Sequence, residues 1–425
     1  MFKMEKRVVI TGLGVVSPNG VGLDNFTDAI KNGTSGIEFY NELKELSFSC
    51  CIGGIPKVTE ELKRNYFTEL QLKNFNSSGI LYGCMAGMDA WKDAGLSITE
   101  STDYDSGTIF GAGTSGVEKF REAIYALDEK NVRRLGSTVV AQTMASGVSA
   151  YLGGILGLGN QVTTNSSACT TGTEAILMGF DRIKAGRAKR MIVGSTSDHG
   201  AYVWGGFDAM RVLTYKHNES PETGSRPMSA SASGFVPGSG AGAMVLESLE
   251  SALERGATIY AEILGGEINS GGQRNEGTMT APNSEAVQRC IKNAVANSNI
   301  NAKDIDAING HLTATSKDFT EIDNWSKALG LKGSDFPYIN SLKSMVGHCL
   351  SAAGAIESVA SVLQIHHNFI FPNINCEDLN EEIASLISER KIPRVLIEKE
   401  VNVVAKASFG FGDVNGCIIF KKFKQ

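Results

Sequence analysis

Gln161-VTTNSSACTTGTEAILMGF-Asp181 and Tyr338-INSLKSMVGHCLSAAGAIESV-Ala360 are built alike. Each passes from an apolar, β-prone run through Asn-Ser into a helical stretch rich in Ala, Gly, Ser and Thr. Helices of such small residues let other backbones approach closely, so the two read as equivalent buried helices of a duplicated fold. Around them apolar runs alternate with helical segments in the manner of a layered α/β protein. These runs are Arg7-VVITGLGVVS, Gly107-TIFGAG, Arg190-MIVGSTS, Gly242-AMVLES, Ile259-YAEILGG, Asp306-AING and Asn402-VVAKASFG. The charged helical stretch Glu247-SLESALERGA joins the halves, which places the boundary near Ala257 and gives halves 1–256 and 257–425.

Within the first segment, Cys169 stands where a strand would hand a thiol to a helix N-terminus. Unpaired N–H groups and the helix dipole lower a thiol's pKa there and make it a nucleophile. A buried structural cysteine would read the same from this segment alone. Of six histidines, His311 closes the strand-like Asp304-IDAINGH and His348 lies in the second segment, each flanked by Gly and small polar residues. His199, His217, His366 and His367 read as satisfied core or surface residues. One Cys and two His spread over about 180 residues suit an acyl-thioester enzyme better than a protease, whose dyad needs a single His. Two histidines can donate a pair of hydrogen bonds to one carbonyl oxygen. The Cys and His spacings offer no metal cage.

Composition narrows the classes further. The 425 residues are 42% hydrophobic, enough for a large core, and 48 glycines against 9 prolines indicate tight turns and close contacts. A net charge of −6 leaves no footprint for nucleic acid or an anionic membrane. Gly and Pro interrupt the first apolar run too early for a signal peptide, and no run reaches transmembrane length. The eight cysteines show no disulfide framework, so a reducing cytoplasm is expected. Gly238-SGAGA could pass for a dinucleotide fingerprint, but the strand-like Met244-VLES follows where a helix should start, so no nucleotide cofactor is expected.

The motifs in order resemble those of the β-ketoacyl-[acyl-carrier-protein] synthases, condensing enzymes of the thiolase fold, and the type I form more than type II. They are Arg7-VVITGLGVVSPNG, Ala145-SGVSA, Ser166-SACTTG, Phe207-DAM, Leu213-TYKHNESPE, Leu253-ERGATIYAEI, Met279-TAPNSEAVQRC, Ser341-LKSMVGHCLSAAGAIE and Ser408-FGFGDVNG. The resemblance spans nearly the whole chain. It implies a five-layer α-β-α-β-α arrangement of two pseudo-symmetric halves. It further implies an acyltransferase without cofactor or metal that joins an acyl group on Cys169 to a malonyl group on acyl carrier protein, as a homodimer in fatty-acid or related polyene or polyketide synthesis. By the same resemblance His311 and His348 stabilise the enolate, and Lys343 organises the site by pairing with Glu357. The backbone N–H groups of Cys169 and Phe411 form the oxyanion hole. The Phe411 ring gates the acyl pocket, with Gly410 and Gly412 supplying backbone freedom, and Thr114 lines the far end of the acyl tunnel across the dimer interface.

Several positions depart from the family pattern. In His311-LTATSKDFTE, Leu312 stands for a glycine and Ser316 for a proline, while the supporting Thr313, Thr315, Asp318 and Glu321 are retained. Asp413 replaces the second glycine of the gate, which would put a side chain and a charge beside the acyl entrance, either as drift or to retune the gate for an unusual acyl chain. Arg226-PMSASASGFVPGSGAGA lacks the usual charged residues, so the ion pairs bracing that loop need substitutes. Lys63, Arg64 and Lys73, with Arg133 and Arg134, are candidates for docking the acidic carrier protein, or are simply solvated charges. Two alternatives are a non-catalytic chain-length partner, which would lack the nucleophile, and the active half of a heterodimer. A thiolase would need a second cysteine, for which Cys417 lies too far past the gate.

Overall fold

The computed structural model describes residues 5–72, 75 and 77–424. Among these residues the main sheet has eleven strands, of which ten set the architecture. In the N-terminal half these are β1 (Val8–Ser17), β2 (Ser106–Ala112), β3 (Val162–Thr163), β4 (Arg190–Ser197) and β5 (Gly240–Ser248). The C-terminal half supplies β6 (Ala261–Ser270), β7 (Ala307–Asn309), β8 (Tyr338–Asn340), β9 (Val403–Gly410) and β10 (Val414–Lys421).

The spatial order is β8-β7-β9-β10-β6-β1-β5-β4-β2-β3. Each half therefore runs first, fifth, fourth, second, third from the junction outward. Strand directions match as well: the first two pairings in each half are antiparallel and the last two parallel. The halves meet where β1 pairs antiparallel with β6, Val8 opposite Ile263. This repetition is the duplication that the sequence suggested.

Helices complete the layers. The helices α1 (Ser78–Asp93) and α2 (Gly147–Leu156) cover the outer face of the first half-sheet. On the far side α4 (Ser284–Asn297) packs on β6 and β10, with α5 (Asp318–Leu329) against it. Between the half-sheets lie α3 (Thr171–Lys184) and α6 (Ala353–His367), each touching strands of both halves. A helix facing sheets on both sides must be apolar or small all round, and every residue of α6 from Ala353 to Ile365 is buried. The result is a five-layer α-β-α-β-α stack.

Glycines set the spacing of the middle layer. A Cβ on Gly172 of α3 would lie 2.3 Å from the backbone nitrogen of Ala355, and one on Gly354 would lie 2.7 Å from that of Thr173. The two helices enter through the same kind of turn. A 3₁₀ turn at Ala168–Thr170 precedes α3 and another at Leu350–Ala352 precedes α6, and each begins with a left-handed residue, Ala168 and Leu350, at φ 50°. By this register Cys169 corresponds to Ser351. The Asn-Ser pairs do not correspond, because Asn165 lies six residues before α3 and Asn340 thirteen before α6. The extra length in the second half carries Lys343 and His348.

Replacing Gly172 with Ala forces a methyl group into backbone. Gly172→Ala is expected to lose about 1–3 kcal/mol of unfolding free energy in urea titration, whereas Gly154→Ala, with open space at its Cβ position, stays near wild type.

Candidate active site

Cys169 sits on the turn before α3, held from both sides. The Thr171 hydroxyl donates to the Ala168 carbonyl (2.6 Å) and accepts from the Ser167 N–H (2.9 Å), and the Thr170 hydroxyl donates to the Val414 carbonyl (3.0 Å). Among the eight free cysteines Cys169 alone retains appreciable exposure, and it opens into a cavity of about 250 Å³. Its sulfur is nonetheless enclosed by protein. Burial pushes the thiol up to about 11, against the pull of the Lys343 ammonium and the Phe411 and Cys169 N–H groups. The depressed pKa expected from the helix N-terminus is thus corrected: desolvation of the thiolate outweighs these favourable interactions.

His311 follows β7 and His348 precedes α6. Their rings meet nearly perpendicular with centroids 5.3 Å apart, and a ring nitrogen of each lies within 4.8 Å of the other and of the Cys169 sulfur. Burial, then the Lys343 ammonium, hold both well below the ordinary histidine range, so both are neutral. Nδ1 of His348 accepts from the Leu350 N–H at 3.0 Å. In a neutral ring the proton then sits on Nε2, which is left as a donor. The packing chain Phe207–Phe235–His348–His311–Phe409 fixes the ring planes.

Beneath the histidines lie three charges. Lys343 and Glu357 form a buried ion pair, and Lys406, on β9, brings its Nζ to 2.8 Å from the other Glu357 oxygen. All three side chains are 2% exposed or less. The sequence reading passed over Lys406. Its signal was a lone charge in the otherwise uncharged strand Val403–Gly410. A Cys with two His is also a donor set for a soft cation, but the two ammoniums against one carboxylate oppose a divalent ion here.

The loop after His311 is organised by buried carboxylates. Glu321 accepts the N–H groups of His311 and Leu312, both at 2.7 Å. Asp318 accepts those of Met228, Thr313, Ala314 and Thr315. Burial raises Asp318 to about 6 and Glu321 to about 7. The left-handed residue of the loop is Ala314, at φ 62°, so Leu312 needs no glycine-like backbone and buries its side chain in the same C-terminal core as Ile322 and Trp325. Thr313 and Thr315 share a 3.1 Å hydrogen bond and line the cavity.

A family model for the β-ketoacyl synthase N-terminal domain matches residues 5–252, and the corresponding C-terminal domain model matches 260–377. The chain belongs to the β-ketoacyl synthase family. The 3-oxoacyl-[acyl-carrier-protein] synthase 1 of Haemophilus influenzae is 34% identical, over 98% of this chain and 99% of its own. A crystal structure of a β-ketoacyl synthase from Burkholderia phymatum superposes with a TM-score of 0.90 at 27% identity, covering 99% of this chain and all of the other. A type II polyketide ketosynthase, solved in complex with its acyl carrier protein and bound to the hexaketide, gives a TM-score of 0.86 at 28% identity, with 99% and 100% covered.

In this β-ketoacyl synthase the turn at 410–413 closes over the nucleophile. A Cβ on Gly410 would come within 2.9 Å of the Thr170 hydroxyl oxygen and 3.2 Å of the Cys169 nitrogen, so this glycine serves close approach. Only Gly412, at φ 86°, uses the left-handed freedom expected of both. The Phe411 ring lies 6.1 Å from that of Phe207 and lines the cavity. Asp413 is 1% exposed and turned away from the cavity, which corrects its expected place as a charge beside the acyl entrance. Its carboxylate accepts the N–H groups of Asn283 (2.9 Å) and Gln273 (3.0 Å), and the Gly412 N–H donates to Met279 (2.8 Å). The gate is therefore tied to the 271–283 loop. The loop at 226–243 finds its brace in Arg226, which pairs with Glu377 and Asp378, both at 2.9 Å.

The remaining expected residues lie elsewhere. Thr114 is exposed and stands apart from the cavity. Lys63 and Arg64 pair with Glu60 and Glu69, and Arg134 pairs with Glu129. Arg133 is exposed, and Lys73 lies outside the described residues. Cys417 is buried in the C-terminal core and does not line the cavity.

Two outcomes follow from these environments. Alkylation of Cys169 by iodoacetamide should accelerate about tenfold per pH unit from pH 7 to pH 10 without levelling near pH 8, and Lys343→Met should slow it at fixed pH. Asp413→Ala leaves two N–H groups without their acceptor. It should cost about 1–3 kcal/mol and raise hydrogen exchange in residues 271–283, measured by mass spectrometry.

Proposed function

We propose that the chain is an elongating β-ketoacyl-[acyl-carrier-protein] synthase. The observation carrying this reading is the Cys169 sulfur at a cavity wall within 4.8 Å of ring nitrogens of two neutral histidines. In the first half-reaction the Cys169 sulfur attacks the carbonyl of an acyl thioester. The oxygen charge that develops is taken by the Cys169 and Phe411 N–H groups, and the carrier thiol leaves with the proton. In the second, a malonyl thioester binds with its carbonyl oxygen facing His311 and His348. The bond to its carboxylate breaks, carbon dioxide departs, and the electron pair is held as an enolate by the two imidazole N–H donors. The enolate carbon attacks the acyl-cysteine, a new carbon–carbon bond forms as the carbon–sulfur bond breaks, and the Cys169 sulfur is released as a thiolate that takes one proton from solvent. Thiol and imidazoles start and finish neutral, so the side chains that meet the reacting atoms carry no charge of their own before substrate binds.

Carrier protein brings both substrates in this reading, supported by the ketosynthase neighbour solved with its acyl carrier protein. Among the described candidates Arg133 is the best-placed docking cation, since Lys63, Arg64 and Arg134 are engaged by neighbouring carboxylates. A second copy of the chain is proposed to add along the outer sheet edge at β3, where Val162 is 39% exposed, and to bring Thr114 to its partner's acyl tunnel. No helix among the described residues is long and apolar enough to cross a membrane. Seven buried free thiols suit a reducing compartment, and we place the protein in the cytoplasm. The presence of Cys169 opposes the non-catalytic alternative.

The test is intact-protein mass after incubation with acyl carrier proteins of graded chain length, followed by malonyl carrier protein. Wild type should gain an acyl adduct that malonyl carrier protein discharges to a β-ketoacyl product, and Cys169→Ala should gain none. His311→Ala and His348→Ala should still acylate but condense about a hundredfold more slowly or worse. Absence of any adduct on wild type would overturn the reading.

A further inference from the structure

Lys406 is a fully buried lysine for which the family resemblance supplied no role. It reaches Glu357 of α6 at 2.8 Å, and its ammonium also donates to the Ser408 hydroxyl (3.1 Å) and to the Ala407 carbonyl. Ser408 in turn shares a 2.8 Å hydrogen bond with Thr173, on the helix that follows Cys169. Lys406 thus ties the strand leading to the gate to both central helices.

Its electrostatic effect is larger than its connectivity. Lys343 and Glu357 alone would be a neutral pair. With Lys406 the cluster carries one uncompensated positive charge, 2% exposed or less throughout. The groups that feel it are His311 and His348, both neutral and both pressed further down by the two ammoniums, then Glu321, and the thiols of Cys169 and Cys349, on which Lys343 and Glu357 act, and of Cys417, on which Lys406 acts. Burial raises Glu321 to about 7 and its oxygens are engaged by the His311 and Leu312 N–H groups, so it offsets only part of that charge. A fixed positive charge in a water-poor site acts most strongly where negative charge develops. In the reaction proposed above that place is the enolate between the two histidines.

We propose that Lys406 is a positioning residue that shares Glu357 with Lys343 and thereby leaves the floor of the site with a net positive charge, stabilising the enolate formed by decarboxylation. The inference rests on the condensing reading. Burial of Lys406 opposes its charged form, and Glu357 is the group that sustains it. Acylation of Cys169 has its own oxyanion donors in backbone N–H groups, so the two half-reactions depend on Lys406 to different degrees.

The experiment measures both half-reactions separately in the full chain: the acylation rate of Cys169 by acyl carrier protein, and carbon dioxide release from malonyl carrier protein. Wild type, Lys406→Met, Glu357→Gln and the double variant are compared. Lys406→Met should lower decarboxylation about tenfold or more and leave acylation within about twofold. Adding Glu357→Gln to Lys406→Met restores a net positive charge through Lys343 alone, so decarboxylation should recover severalfold. A purely structural Lys406 would make the double variant worse than either single one. Parallel loss of both half-reactions, or a double variant slower than Lys406→Met, overturns the inference. If Lys406→Met does not fold, Lys406→Gln, which retains a donor toward Ser408, takes its place with the same outcomes. Failure of wild type to acylate or decarboxylate would instead overturn the condensing reading itself.

Discussion

The backbones of two helices touch at Gly172 and Gly354, and nearly everything about the site follows from that contact. It puts the turns preceding α3 and α6 side by side, so that a thiol from one half of the chain meets an imidazole from the other. Larger residues would separate the helices and withdraw Cys169 from His348. The runs of Ala, Gly, Ser and Thr from which the duplication was read are therefore also the part that sets the distance across the site.

Around that contact the protein trades solvation for neutrality. Burial favours the uncharged form of every titratable group, and the thiol and both imidazoles take it. The charges that remain are those with partners: Lys343 and Lys406 on Glu357, and Asp318 on converging backbone N–H groups, while Glu321, held by the same kind of donors, is raised by burial to about 7. The layout separates groups that change state during the proposed reaction from groups that stay ionised beneath them. It also explains the crowding of backbone donors around the 311–321 loop, since carboxylates so deeply placed need several hydrogen bonds to remain useful as anchors.

Much of this was legible in the sequence because it rests on local patterns. Alternating strand and helix runs gave the layered class, the two small-residue segments gave the duplication, and Cys169, His311 and His348 stood out by their settings. What escaped depended on direction and depth. Nothing local tells whether Asp413 points to the cavity or to Asn283, or that Lys406 points inward toward a carboxylate about fifty positions earlier. The helix N-terminus correctly marked Cys169, but one segment cannot report how fully the rest of the chain encloses its sulfur. The matching Asn-Ser pairs misled on register, because the second half holds extra residues between that pair and its helix.

Those extra residues have a consequence for the fold as a whole. The turn that presents Cys169 recurs at Leu350–Ala352 with the same left-handed entry, yet there Ser351 spends its hydroxyl on the Thr196 carbonyl at 2.6 Å. The backbone is symmetric and the chemistry is not: one copy keeps the nucleophile, and the other has gained the segment that carries Lys343 and His348. Each half has become the complement of the other's missing part. A chain cut at its junction would yield two pieces of nearly the same topology, neither of which contains an active site.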